Sequence, residues 1–450
     1  MPQRDLALFA VTLAIAAGLS CAPAVTKAQR ISFIRDAEIE ETIRTFATPV
    51  FQAAGLNPSA IKVHLVNDKT LNAFVAGGQQ LFLNTGLLMR TTNAGQVIGV
   101  ISHETGHIAG GHLSRTQEAI RNSSAQSIVA FVIGAAAAIG TGRSDIGQAI
   151  IAGGSQIGMR SFLHYSRTQE GAADQAAVRF LDATAFSSKG LLEFMEILED
   201  QELLSPKHQD PYVRTHPIAR DRIEFLRTHV AQSPYSDKPT PPKLEVMQLR
   251  MRAKLHGFLE PLAVTLRRYK ETDDSLYSRY ARAIAHYRKP DLDKALHLID
   301  GLIAQHPTDP YFHELKGQML FENGRIAEAL EPYETATRLL PHAPLLRTGL
   351  ARVQLELNEP TLLVSAITNL RAVLRKEKHS PFLWRQLAIA YGRNGQMGQS
   401  ALAMAEEGLL KGDTAAARFH AARAQELLPR GSRAWLKAED VLSASKEEEN

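Results

Sequence analysis

The stretch Ile101-Ser-His-Glu-Thr-Gly-His-Ile108 decides how the rest of the chain is organised. Apolar residues at helical spacing around it, with Asn93 as the N-cap, predict a helix. Two histidines four residues apart on a helix project from one face, so His103 and His107 are predicted to bind one metal ion. Glu104 is the predicted acid/base, which takes a proton from water and later delivers it to the leaving amine. A chance match to this pattern is expected in roughly 1 of 30 chains of this composition, so the context has to add support.

A third protein ligand is expected, because a catalytic zinc site uses three protein ligands and keeps one position for water. His112 lacks the spacing of a third histidine, which would fall on Leu113, and we interpret it as structural. Glu170 is the predicted third ligand, because a carboxylate on a second helix completes a two-histidine, one-glutamate set. Asp174, one turn on, is predicted to hold the far ring nitrogen of His103 and fix its tautomer. A solvated helix face would explain either acidic residue taken alone.

Length and composition indicate a globular protein of two or three domains. The chain has 450 residues, of which 44% are hydrophobic and 22% charged, which is ordinary for a soluble protein. The net charge of +4 comes from scattered basic residues, without a basic block. Nucleic acid is therefore not expected as a partner.

The first 28 residues have the pattern of a secretory signal peptide. A positive charge precedes an apolar run over residues 6–19, and small residues follow, which predicts cleavage after Ala28 or, alternatively, after Ala24. The run is too short to span a bilayer. Cys21 is the only cysteine in the chain, and lipid attachment there is disfavoured because Gly18 stands where an apolar residue is usual. We therefore predict an exported protein.

Between the signal and the histidine motif the pattern predicts a helix followed by a small sheet. An amphipathic helix is expected over residues 31–54, a strand over 61–66, and a hairpin over 71–84 that turns at Gly77-Gly78. The strand at residues 79–83 is predicted to be an edge that pairs with an extended peptide. An internal core strand is an equally open interpretation of the same residues.

Two apolar stretches follow the motif, at residues 122–142 and 146–159. Neither reaches the ~18 continuous apolar residues that a membrane-spanning helix needs, so a membrane-inserted protease is disfavoured. We predict a buried helical hairpin. Peripheral membrane contact or a lid stays open as an alternative.

The C-terminal half has the pattern of tetratricopeptide repeats. Prolines predict a stiff linker over residues 231–246, which ends a first domain at 29–230. Beyond the linker, small residues and prolines recur 34 apart, as at Ala295 and Ala329, which is typical of these helical repeats. We expect the repeats over residues 247–445, with one unit stretched by three residues, and a charged tail at 446–450. Such repeats indicate a protein-binding role.

Five sequence elements together resemble the family of HExxH peptidases that includes the prenyl-protein endopeptidases. They are His103-Glu-Thr-Gly-His107 with His112, Asn72-Ala-Phe74, Gly86-Leu-Leu88, Glu170-Gly-Ala-Ala-Asp174, and Thr215-His-Pro217 with Arg222. The resemblance covers residues 31–230. It implies zinc bound by His103, His107 and Glu170, with Glu104 as the catalytic acid/base and Asp174 behind the ligands.

The resemblance also implies roles for two later residues. It places His216 and Arg222 near the metal as candidates for stabilising the tetrahedral oxyanion. Alternatively, His216 occupies the open zinc position and keeps the enzyme latent until the loop around 205–217 moves. An ordinary loop histidine explains His216 on residues alone.

Joined to the export signal and the repeats, the resemblance implies a periplasmic zinc endopeptidase that degrades unfolded or misassembled outer-membrane proteins and assists β-barrel assembly. The repeats would then dock the β-barrel assembly machinery or the substrate. The alternative is a chaperone or scaffold that acts through its repeats while the protease site stays shut. The expected fold class is α+β, mostly α, with a zincin-like domain that contains a small sheet, followed by an all-α solenoid.

Overall fold

The computed structural model describes residues 32–76, 79–112, 156–202, 212–213, 216 and 220–447. The signal segment, Cys21, residues 122–142, most of 146–159 and most of the tail at 446–450 lie outside these residues, and so do the predictions made for them. Among the helices of the described residues, none is both long enough and apolar enough to cross a membrane.

A four-stranded sheet forms one wall of the N-terminal half. Its strands are β1 (Phe33–Ile34), β2 (Lys62–Val66), β3 (Ala73–Ala76) and β4 (Gln80–Asn84). They lie in the order β1-β2-β4-β3, with β2 and β4 parallel and the other neighbours antiparallel. Strand β4 is therefore interior, and the prediction of an edge at residues 79–83 is wrong. Leu81 and Leu83 of β4 are fully buried, so β4 lies inside the sheet and its hairpin partner β3 lies at the edge.

The first helix begins later than the sequence predicts. Helix α1 is Ala37–Ala53, and Asp36 caps it by accepting a hydrogen bond from the Ile39 amide at 2.9 Å. Residues 33–34, which the periodicity assigned to this helix, instead pair with β2 as strand β1. A two-residue strand is too short to show the alternation that would separate it from a helix.

The histidine motif lies on the central helix of the N-terminal half. The helices here are α2 (Thr85–Arg90), α3 (Ala94–Ala109), α4 (Gln156–Ala183), α5 (Lys189–Glu202) and α6 (Arg220–Gln232). Asn93 caps α3, as predicted, by accepting from the Gln96 amide at 2.9 Å. Helix α3 packs against α1, α4 and α5. A Cβ on Gly99 would lie 2.8 Å from the Leu191 backbone, so glycine permits the close approach of α3 and α5.

The C-terminal half is a stack of helix pairs. Its helices are α7 (Pro242–Leu259), α8 (Leu262–Arg268), α9 (Leu276–Arg288), α10 (Leu292–Gln305), α11 (Pro310–Glu322), α12 (Ile326–Leu339), α13 (Pro344–Leu357), α14 (Pro360–Leu374), α15 (Pro381–Arg393), α16 (Met397–Leu410), α17 (Thr414–Leu427) and α18 (Arg433–Glu447). The first helices of three successive pairs begin 34 residues apart, at residues 276, 310 and 344. The next begins 37 residues later, at residue 381, which is the predicted unit stretched by three. The predicted fold class is confirmed.

Helix α7 belongs to both halves of the molecule. It begins at Pro242, inside the predicted linker. Met251 and Leu255 lie in the core that contains α1 and α3, whereas Ala253 lies in the core of the first repeat. The two halves therefore pack together across α7, beyond the predicted end of the first domain at residue 230.

Candidate metal centre

Helices α3 and α4 cross closely at Gly106, between the two histidines of the motif. A Cβ at this position would lie 2.7 Å from the Ala173 carbonyl oxygen of α4, so a side chain would push the helices apart. The sequence interpretation gave Gly106 no role, although a glycine inside a helical pattern is a signal of close packing. This contact brings Glu170 of α4 towards the motif histidines.

The three predicted ligands converge. The Nε2 atoms of His103 and His107 lie 3.1 Å apart. The Oε2 atom of Glu170 is 3.3 Å from His103 Nε2, and its Oε1 atom is 3.4 Å from His107 Nε2. Ligand atoms about 2.0–2.1 Å from a tetrahedral zinc ion lie about 3.3–3.4 Å from one another. The donor set therefore fits a small tetrahedral metal ion.

His216 completes the cluster as a fourth donor. Its Nδ1 is 3.1 Å from Glu170 Oε2 and 3.4 Å from His103 Nε2. One donor atom from each of the four residues lies within 4.8 Å of all the others. His216 therefore offers a fourth donor atom beside the three predicted ligands, whereas a catalytic zinc site keeps its fourth position for water or substrate.

Glu104 is a buried carboxylate that faces the cluster. Both of its oxygens are buried and make no hydrogen bond to the described residues, and His216 Nε2 lies 3.5 Å from Oε1. Burial raises the pKa of Glu104 above its usual value. A buried carboxylate that makes no hydrogen bond is unusual in a folded protein, and burial that favours its protonated form suits a general acid/base.

Asp174 and Arg222 lie behind the ligands. Asp174 Oδ1 is 2.8 Å from His103 Nδ1, on the side of the ring away from the cluster. Arg222 donates through Nε to Asp174 Oδ2 at 2.6 Å, and its Nη1 is 3.1 Å from Glu170 Oε2. Burial alone would raise the pKa of Asp174, but the charge of Arg222 and the hydrogen bonds from His103 and Arg222 together outweigh it, and the pKa is lowered. These contacts direct Arg222 towards two carboxylates.

Two further side chains complete the surroundings. His112 Nδ1 lies 3.0 Å from His107 Nδ1, on the far side of that ring from the cluster. The Tyr212 ring stacks on His216 at 4.5 Å between centroids and meets Phe194 edge-on at 5.3 Å. The sequence interpretation missed Tyr212. The available signal was an aromatic residue four positions before His216, at helical spacing.

Comparisons with known proteins cover both halves of the chain. Residues 34–230 match the profile described as Peptidase family M48, and residues 280–344 match the profile of a tetratricopeptide repeat. The first match contains all the residues of the cluster, and the second lies in the stacked helix pairs.

Three relatives show how far the similarity extends. The chain is 23% identical over 384 residues to a β-barrel assembly-enhancing protease of Yersinia pestis, which covers 84% of this chain and 77% of the relative. It is 24% identical over 347 residues to a protein of the same description from Escherichia coli K12, covering 73% of this chain and 67% of the relative. A mitochondrial metalloendopeptidase of Schizosaccharomyces pombe is 25% identical over 182 residues, covering 39% and 49%.

Proposed function

We propose that this chain, a metalloendopeptidase similar over residues 34–230 to peptidase family M48, is a periplasmic zinc enzyme that degrades misassembled outer-membrane proteins. The observation that supports the proposal best is the convergence of four donor atoms beside a buried carboxylate. Nitrogen and carboxylate oxygen are ligands that zinc accepts, in the tetrahedral arrangement that their distances fit. When bound, zinc supplies a positive charge that polarises a carbonyl group and makes nearby water more acidic.

In the proposed mechanism each residue of the site has one role. His103, His107 and Glu170 hold the ion. Glu104, whose oxygens are buried and make no hydrogen bond to the described residues, takes a proton from the attacking water and delivers it to the leaving amine. Asp174 fixes the tautomer of His103 so that Nε2 presents its lone pair to the site.

We assign Arg222 a positioning role instead of the expected contact with the oxyanion. Its guanidinium bridges Asp174 and Glu170, and a planar fork of donors suits two carboxylates at once. It holds the ligand Glu170, and Asp174, which orients His103, in place against helix α3.

His216 is the proposed gate. It stands at the fourth donor position with Nδ1 towards Glu170, and its other ring nitrogen is 3.5 Å from Glu104. A scissile carbonyl and a water molecule need the same space, so this arrangement is a resting state. Substrate binding requires the His216 imidazole to leave. Donation from the displaced ring to the oxyanion is the alternative role, in which His216→Ala would be slower than the wild type.

The edge strand β3 is the proposed binding site for the substrate backbone. Within the described part of the sheet, β3 pairs with β4 on one side and is a terminal strand on the other. Helix α3, which carries the histidines, contacts β3. An extended peptide that added to β3 would run beside the metal centre. Strand β3 thus takes the role of peptide-binding edge that the sequence analysis predicted for residues 79–83.

The predicted signal over residues 1–28 and the similarity to proteins described as β-barrel assembly-enhancing proteases support export and a role at the outer membrane. The repeats offer a surface of stacked helices for protein partners. We propose that they dock the β-barrel assembly machinery or the substrate. Peripheral membrane contact through the apolar stretches after the motif is part of the same proposal.

A chaperone or scaffold function is the second candidate, because His216 occupies the position that substrate needs. One experiment separates the two. An outer-membrane protein diluted from urea, or folded in detergent, is incubated with the zinc-loaded protein and with Glu104→Gln. Cleavage of the unfolded form alone, lost in Glu104→Gln, is the expected result. Equal suppression of aggregation by both proteins, without cleavage even in His216→Ala, would instead establish the chaperone.

A further inference from the structure

A cavity of about 350 Å³ lies on the fourth helix pair of the stack, between α15 and α16. Arg385, Ile389 and Arg393 line it from α15, and Met404 and Glu407 line it from α16. No step of the proposed proteolysis uses this cavity. Its size is at the lower end of the range for ligand pockets, which suits one or two amino-acid residues.

Three of the α15 residues that line the cavity form one stripe of the helix. Arg385, Ile389 and Arg393 are each four residues apart, so they share a face. Phe382, three residues before Arg385, lies outside the lining but continues the same face. Phe382 is 49% exposed and Ile389 is 38% exposed. Helix α15 is the first of its pair and contacts α13, the first helix of the preceding pair. Stacked repeats of this kind form extended concave binding surfaces.

The charges around the cavity favour an anion. Glu407 is nearly buried and accepts a hydrogen bond from Arg385 Nε at 2.8 Å, and it also pairs with Lys411. One carboxylate therefore meets two cations. Arg393 donates a hydrogen bond to the Leu355 carbonyl. Because this acceptor is neutral, it does not compensate the positive charge of Arg393. The ionised residues of the lining, Arg385, Arg393 and Glu407, sum to a net charge of one positive unit. Lys411, which pairs with Glu407 outside the lining, adds a second positive charge nearby.

We propose that this cavity binds the C-terminal residue of an unfolded polypeptide, with the terminal carboxylate on Arg393 and Arg385 and an apolar last side chain on Ile389 and Met404. The inference rests on the proposed role of the repeats as a docking surface and deepens it. Arginine recognises a carboxylate through paired hydrogen bonds. The cavity would thus select chains whose C-terminus is exposed.

A C-terminal residue fits this arrangement better than an internal acidic residue. At a C-terminus the carboxylate and the last side chain leave the same Cα atom, and both can enter one small cavity. In an extended internal segment, successive side chains point to opposite faces. An internal acid and its apolar neighbour would then not reach Arg393 and Ile389 together.

The test measures binding to the full chain carrying Glu104→Gln, so that no cleavage intervenes. A fluorescent decapeptide with a C-terminal phenylalanine is compared as the free acid and as the amide by fluorescence anisotropy. We expect the free acid to bind about tenfold more tightly than the amide, because the amide lacks the carboxylate and loses a charge-assisted hydrogen bond. Arg393→Gln should remove this preference, whereas Arg338→Gln, an exposed arginine of α12, should keep it. Matching thermal unfolding of the two variants shows that both are folded.

Three results would overturn the proposal. They are equal binding of the acid and the amide, no binding of the free acid, and binding of an amidated peptide with an internal glutamate that is as tight as that of the free acid. The last result would assign the cavity to acidic side chains. Because the readout is binding to an inactive variant, none of these results bears on whether the protein is a zinc endopeptidase.

Discussion

Asp174 accepts a hydrogen bond from His103 Nδ1 at 2.8 Å, which leaves His103 Nε2 facing His107 Nε2 at 3.1 Å. A carboxylate at this distance fixes the proton on Nδ1, so that in the proposed metal site His103 would present the lone pair of Nε2 to the ion. Because Arg222 in turn holds Asp174, the ligand geometry depends on three elements that are distant in sequence.

Asp174→Asn should weaken metal binding. An amide can donate to Nδ1 and favour the wrong tautomer, and loss of such a partner typically costs about 10–100-fold in metal affinity. Competition with a chromogenic zinc chelator measures the change. Asp182→Asn, eight residues further along α4, is the control and should bind zinc as the wild type does. Unchanged affinity in Asp174→Asn would contradict the assignment.

Arg222→Lys should lower both the zinc affinity and the melting temperature. A lysine ammonium is a point charge that cannot bridge Asp174 and Glu170 as the guanidinium fork does, and one buried carboxylate is left poorly paired, which costs about 1–3 kcal/mol. Calorimetry and the chelator assay measure the two effects. A role at the oxyanion would show the opposite pattern, with kcat reduced while zinc affinity and melting temperature stay at the wild-type values.

Gly106→Ala should destabilise the fold by about 1–3 kcal/mol, as overpacking of a tight contact does. Its new methyl group would lie 2.7 Å from the Ala173 carbonyl oxygen. Gly171→Ala is the matched control on α4, because a Cβ there has no atom within 4 Å among the described residues. That variant should be neutral or up to about 1 kcal/mol more stable, since alanine favours a helix over glycine. Chemical denaturation measures both, and equal destabilisation would refute the close-packing explanation.

A buried charge cluster between the two halves gives a pH dependence. Burial raises the pKa of Glu314 on α11 to about 7, although the Lys254 ammonium, 3.9 Å away, opposes the shift, and Asp36 and Glu38 add to it. The native state thus holds a proton that the unfolded chain releases near pH 4.5. The stability associated with this proton is complete below pH 4.5 and is lost as the pH rises through about 7.

Glu314→Gln replaces the protonated acid with a neutral side chain of the same shape. Relative to the wild type it should unfold at a similar temperature at pH 5 and gain on the order of 1 to 3 kcal/mol at pH 8.5. Thermal unfolding across this pH range measures the difference. The control is Glu328→Gln, at an exposed residue of α12, which should show no such crossover. A variant that is less stable than the wild type at pH 8.5 would contradict the prediction.

The sequence predicted the parts of the site that follow from local spacing. His103 and His107 share a helix face because they are four residues apart, and the Asn93 cap fixes where that helix begins. Glu170 and Asp174 required the further assumption that their helix packs on the motif, which Gly106 makes possible.

Tertiary contacts determine the features that the sequence did not predict. The position of β4 inside the sheet depends on its parallel pairing with β2, which hydrophobic alternation does not show. Stacking of Tyr212 on His216 could be suspected from their four-residue spacing, but the spacing alone does not show that the pair lies against the motif histidines. The burial of α7 in two cores requires both halves to be folded, so the prolines before it suggested a longer linker than the structure has.

The most direct test of the central claim is cleavage of unfolded casein by the zinc-loaded wild type, Glu104→Gln, His216→Ala and the double variant. We predict that His216→Ala cleaves casein faster than the wild type, because the imidazole no longer stands at the fourth donor position. Both proteins with Glu104→Gln should lose the activity by about 10²–10⁴-fold, with their zinc content unchanged. If His216→Ala cleaved casein more slowly than the wild type, the assignment of His216 as a gate would be refuted, but the assignment of the protein as an enzyme would stand. Cleavage that persists in Glu104→Gln, or its absence in all four proteins with zinc bound, would contradict the account.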